Sequence, residues 1–99
     1  MFALILARAA QEEFERLEAS PRYSGLVKQI KKTLSFLQTN LRHPSLQTHA
    51  FQSWEHPYRP GEKVFIAYVQ QHTPSAYRVF WCYGPDKEHL TILAITPHP

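Results

Sequence analysis

The sequence predicts an α+β domain of two layers, with a helical pair lying on one face of an antiparallel sheet. Three observations carry that expectation. Residues 21–41 hold one apolar stripe at helical spacing, the pattern changes to alternation beyond Pro44, and the later apolar segments are joined by short polar links. The chain has 99 residues, 43% of them apolar, with two Trp, five Tyr and six Phe, which is enough for one real core. No repeat or low-complexity tract divides it, so residues 1–99 are expected to form a single domain.

Phe2–Leu6 is short, bulky and without helical spacing, and reads as a buried strand. From Ala7 the pattern turns helical: Ala7, Ala10, Phe14 and Leu17 share one face, with Glu12, Glu15, Arg16 and Glu18 elsewhere. Glu12–Arg16 is a pair at helical spacing on the solvated side. A helix over 7–19 is followed by a break at Ser20–Pro21, where Ser caps a new helix and Pro fits its first position. The second helix, 21–41, carries Tyr23, Leu26, Val27, Ile30, Leu34, Leu37 and Leu41 in one stripe, and Lys28, Lys31 and Lys32 face away. Pro44 disfavours helix at His43 and ends it.

The remainder reads as β. Residues 48–54 form a moderate strand, 63–71 and 76–84 strong ones, and 89–97 the last, with a turn at Pro85–Glu88. Short links between successive strands predict an antiparallel meander. In residues 76–83, Tyr77, Val79, Trp81 and Tyr83 fall on one face and Ala76, Arg78, Phe80 and Cys82 on the other. Both faces are apolar, as in an inner strand covered on both sides, yet the strand carries a permanently charged Arg78.

Composition excludes several classes. The first apolar run is far short of the roughly 20 residues of a membrane helix and has no signal-peptide features. A single Cys82 forms no internal disulfide, which suits a reducing cytoplasm. The three glycines are too scattered for a phosphate-cradling loop, and dispersed histidines with one cysteine offer no zinc spacing. No metal or cofactor is expected, and His43 and His49 read as hydrogen-bonding corner residues. The net charge of +3 is unevenly spread: residues 19–85 carry eight cations against Glu55 and Glu62. Such a basic section attracts phosphate or an acidic protein.

The element order, together with "LRHPSLQTHAF", "AYRVFW" and "ILAITPHP", resembles the RelE/ParE-like toxin superfamily over nearly the whole chain. The resemblance implies a toxin of a type II toxin–antitoxin pair, with a cognate antitoxin as partner. In its RelE-like branch it implies a metal-independent endoribonuclease acting on mRNA at the ribosome; in its ParE-like branch, a gyrase inhibitor. Ribonuclease chemistry of this kind removes the proton of a ribose 2′-OH, stabilises the charge gathering on the phosphate and protonates the departing oxygen. The resemblance assigns phosphate contact to Arg78, acid–base work to His98, and stacking or a phenol proton to Tyr68. Lys63, Lys28, Lys31, Lys32 and Arg59 are then the candidates for RNA contact. Ile66 and Tyr68 stand where RelE-like nucleases often carry Lys or Arg, so the catalytic set is incomplete by that pattern.

Each candidate also has a structural reading. Arg78 can stack on neighbouring rings or pair with Glu55 or Glu62. His98 can be a solvated terminal histidine, the lysines the wet side of a helix, and Trp54, Trp81 and Tyr77 core residues rather than base-stacking platforms. The alternative function is a non-catalytic interaction module on the same fold.

Overall fold

The protein, described here from a computed structural model covering residues 1–70 and 75–97, is a five-stranded sheet with two helices on one face. Strand β1 (Ala3–Leu6) leads into helix α1 (Arg8–Glu18). A 3₁₀ turn (Pro21–Tyr23) opens helix α2 (Ser24–Thr39), and a second 3₁₀ turn (Pro44–Leu46) leads to β2 (His49–Phe51). Strands β3 (Val64–Tyr68), β4 (Tyr77–Tyr83) and β5 (His89–Pro97) complete the chain. The spatial order is β1-β5-β4-β3-β2.

The predicted meander is β2 to β5, each pair antiparallel. The expectation of a wholly antiparallel sheet is corrected at β1, which runs parallel to β5 with Ala3 opposite His89 and Leu6 opposite Ile92. The helical pair supplies the long crossover that a parallel partner requires. As an edge strand, β1 is half-buried with Ala3 exposed, so it is not the buried strand its composition suggested. Position, not composition, decides this.

Helix and sheet meet through Ala10, Leu17, Val27, Ile30, Leu37 and Leu46 on one side and Ala67, Val79, Trp81, Leu90, Ile92 and Ile95 on the other. Small differences from expectation have local causes. Ser20 makes no side-chain cap, and the 3₁₀ turn moves the start of α2 to Ser24. Leu34 lies at the margin of the interface, while Thr33 is buried and donates its hydroxyl to the Tyr68 carbonyl at 3.2 Å. Arg16 pairs with Glu13 at 2.8 Å, where Glu12 was expected. The reason is that Glu13 is also held by the Tyr77 hydroxyl at 2.6 Å, across the helix–sheet boundary.

The central place of β4 accounts for its two apolar faces. Helices cover Val79 and Trp81, and the opposite face, with Arg78, Phe80 and Cys82, is partly roofed by the long segment between β2 and β3. Burial pushes the Cys82 thiol up to about 11, so it behaves as a small apolar side chain.

Candidate functional site

Arg78 lies on the sheet face turned away from the helices, in register with Tyr68 on β3 and Thr96 on β5. Its guanidinium carbon stands 3.7 Å from the centre of the Tyr68 ring, a close cation–π stack. Nη1 donates to the carbonyls of Gln70 at 2.8 Å and Tyr77 at 3.1 Å. The Nε–H is buried and has no acceptor among the described residues. Among the described residues no ion pair includes Arg78, although the residue is only 8% exposed. Removing a cation from water without a counter-charge is costly, and stacking with two carbonyls offsets only part of that cost. The arrangement suits an incoming anion.

Tyr68 is fixed from several directions. Thr33 of α2 anchors its carbonyl, Arg78 covers its ring, and His49 meets it edge-on at 6.1 Å between centres. His49 is itself oriented by a 3.0 Å contact from Nδ1 to the Gln47 carbonyl. His43 stacks on Phe36 at 3.8 Å and accepts the Ser45 backbone N–H at 3.1 Å, so both histidines serve the corner between α2 and β2, as expected. A small recess of about 130 Å³ beside Tyr68 is lined by Gln29, Lys32, Phe36 and Ser45.

Farther along the same face, Phe80 supports an aromatic group. Trp54 lies over it at 4.6 Å, and Phe51 meets both rings nearly edge-on, at 5.0 Å from Phe80 and 5.7 Å from Trp54. Trp54 is 42% exposed, which corrects its reading as a core residue; Trp81, at 1%, keeps that role.

The segment that carries Trp54 is tied down by His56. Its Nδ1 receives the backbone N–H groups of Tyr58 at 3.2 Å and Arg59 at 3.0 Å, so Nδ1 is the acceptor and Nε2 donates to the Tyr83 carbonyl at 2.7 Å. Thr91 donates to the Gly84 carbonyl at 2.9 Å and accepts from the Tyr58 hydroxyl at 3.0 Å. Gly84 has φ +124, and a Cβ there would meet the Tyr58 ring at 3.1 Å, so the turn needs glycine. Arg59 donates to the carbonyls of Tyr83 and Pro85 at 3.2 Å each and pairs with Glu62.

No protein-family model matches the chain, and no curated protein does. Solved structures match over its whole length. A YoeB/ParE toxin from Agrobacterium tumefaciens superposes with a TM-score of 0.69 at 9% identity, covering 100% of both chains. The YoeB–YefM complex from Staphylococcus aureus gives 0.68 at 15% identity over 100% of this chain and 99% of that one. The archaeal RelE–RelB complex from Pyrococcus horikoshii gives 0.64 at 12% over 97% and 93%. The chain has the RelE/ParE-like toxin fold.

On this RelE/ParE-like fold the sequence-predicted residues separate into groups. Arg78 and Tyr68 come together, and Lys32 borders the recess beside Tyr68. Lys63 and Arg59 lie toward the other end of β3, Lys63 roughly 17 Å along the strand from Tyr68 at the usual rise per residue. Arg59 is committed to carbonyls and Glu62, while Lys63 lines the cleft beside Trp54. Lys28 and Lys31 are exposed on α2, and Lys31 reaches Glu18 of α1 at 3.6 Å. His98 lies outside the described residues. Sequence reasoning missed His56 as the anchor of the segment over the sheet, and Trp54 as an exposed ring. Alternation does place His49 and Phe51 on one face, but nothing local indicates how the irregular segment after them folds back.

Proposed function

We propose that this protein is the toxin of a type II toxin–antitoxin pair, with its Arg78–Tyr68 face as the site that engages RNA. The observation that carries the reading is Arg78 itself. Among the described residues it is a buried, stacked cation with an unmatched Nε–H and no carboxylate partner, on the face of a RelE/ParE-like sheet turned away from the helices. A phosphate diester supplies the missing negative charge and acceptor oxygens, and arginine is the side chain best shaped for it.

In this reading Arg78 stabilises the charge that develops on the scissile phosphate, and Tyr68 holds the guanidinium in place and offers its phenol to the substrate. His98 follows two residues after Thr96, the register partner of Arg78, and is the candidate for proton transfer. RNA is the substrate because the attacking group is a ribose 2′-OH. Lys32 and Lys63 extend the positive surface to either side, and Lys28 and Lys31 are available to an acidic partner. The antitoxin is expected to be a separate protein that forms a complex with this one, as YefM does with YoeB and RelB with RelE. Among the described residues no helix is long and apolar enough to cross a membrane, and the cytoplasm is the expected site of action.

The test is inducible expression in a bacterium, with growth and mRNA cleavage followed together for the wild type and Arg78→Ala. The expected result is growth arrest with mRNA cleavage by the wild type. The variant should be slower by about 10²–10³, the scale for losing one donor to a developing anion. Growth arrest without mRNA cleavage, unchanged by Arg78→Ala, would direct attention to the gyrase-type target. No effect on growth or mRNA would leave the interaction module as the better account.

A further inference from the structure

We infer that Trp54, supported by Phe80 and Phe51, is a nucleobase-stacking platform for the RNA whose phosphate Arg78 holds; the inference rests on the RNA-binding reading above. Large aromatic side chains exposed on a soluble domain are usually isolated, whereas Trp54 is built into a layered group. Its ring lies 4.6 Å above Phe80, a residue 1% exposed, and Phe51 braces both nearly edge-on. Trp54 lies tilted by 37° against Phe80, on a segment that His56, 2% exposed, ties to the Tyr83 carbonyl. The Trp54 side chain keeps much of its surface exposed.

Position and charge indicate the occupant. Phe80 and Arg78 are two residues apart on one strand and point to the same face, so the platform begins about 7 Å from the guanidinium-bearing residue. A cleft of about 480 Å³ beside Trp54 is lined by Gln52, Ser53, Glu55 and Lys63, among others. Glu62, which also lines the cleft, is paired with Arg59, so Gln52, Ser53 and Glu55 offer donors and acceptors to base edges and Lys63 is the one cation for a neighbouring phosphate. A stacked purely apolar partner would leave these groups without a match. A single-stranded nucleotide run, with an anion at Arg78, a π face at Trp54 and an anion at Lys63, matches all three.

The test measures binding of a short single-stranded RNA, and of an abasic RNA of equal length, to the wild type, Trp54→Phe, Trp54→Leu and Arg78→Ala. Trp54→Phe leaves buried Trp81 as the one remaining tryptophan, so its unchanged emission and melting midpoint show that the fold is intact. The expected result is a loss of about 5- to 100-fold for Trp54→Leu on the RNA, the worth of one stacked base, with a much smaller loss for Trp54→Phe. Neither variant should change binding of the abasic strand, and the RNA alone should quench the wild-type excess of emission over Trp54→Phe. If Trp54→Leu binds RNA like the wild type while Arg78→Ala is weakened, the platform is refuted and the RNA reading stands. The platform is equally refuted if Trp54→Leu instead loses only its hold on the antitoxin. If the wild type itself binds no RNA, both fall.

Discussion

Replacing Tyr77 by Phe should weaken the domain by an amount that depends on pH in a defined window. The Tyr77 hydroxyl donates to Glu13 at 2.6 Å, and Arg16 holds the same carboxylate at 2.8 and 3.0 Å. This cluster links α1 to β4. A hydrogen bond to a charged group contributes ~1.5–3 kcal/mol, and the Glu13 side chain is 23% exposed, so about 1–2 kcal/mol is expected here. For a domain of this size each kcal/mol moves the melting temperature by about 4–8 °C.

The two titrating groups bound the effect on opposite sides. The hydrogen bond from Arg16 holds the Glu13 carboxyl below the ordinary carboxylate range, with Tyr77 adding to it. A lowered folded value means stability that is present above the unfolded value of ~4.3 and is lost as pH falls through the folded one. Burial first, and the hydrogen bond to Glu13 second, push Tyr77 up to about 12. A raised folded value means the unfolded chain ionises first, near ~10, so this contribution is complete below ~10 and fades as pH rises toward 12. The difference in melting temperature between the wild type and Tyr77→Phe should therefore form a plateau from about pH 5 to 9.5 and shrink on both sides. Circular-dichroism melts from pH 3 to 11, with Glu13→Gln and the double variant, measure it. A difference that stays flat across that range, or strictly additive single variants, would refute the coupling.

Two further outcomes follow from burial and hydrogen bonding. Ile30→Ala, at a fully buried position of α2, should cost ~2–5 kcal/mol, and Leu34→Ala at the margin distinctly less; equal urea midpoints for the two would contradict the described face of the helix. His56→Ala leaves the amides of Tyr58 and Arg59 without their acceptor and removes one of the two side-chain donors to the Tyr83 carbonyl, the other being Arg59, so a loss of about 2 kcal/mol is expected. Hydrogen exchange at Tyr58 and Arg59 should accelerate in that variant, and unchanged protection there would remove His56 as the anchor.

What was legible in the sequence is what periodicity encodes. The stripe of α2, the inner position of β4 and its division into two faces follow from local pattern, because burial imposes a period of 3.6 or 2 on neighbouring residues. The pairing of β1 was not legible. Four apolar residues fit an edge as well as a centre, and the parallel contact with β5 joins positions more than eighty residues apart. At the site, Arg78 was legible because a charge inside an apolar run is conspicuous, and its contact with Tyr68 followed from the register of two strong strands. His56 and Trp54 were not, since residues 52–63 have no period and their placement rests on tertiary hydrogen bonds to the turn after β4.

Arg78 also shows why a structural role and a binding role need not exclude each other. Its Nη1 secures the carbonyls of Gln70 and Tyr77, one on each side of the β3–β4 connection, and that is a contribution to the fold. The same fold leaves its charge without a counter-ion among the described residues and its Nε–H without an acceptor, which works against stability. An apolar side chain of similar length would avoid both costs but would leave the carbonyls of Gln70 and Tyr77 without their Nη1 donor, so the fold accounts for part of the place arginine holds here. In the RNA-binding reading proposed above, the carbonyls and the Tyr68 ring hold the guanidinium in place beforehand, so less ordering would remain when a phosphate binds.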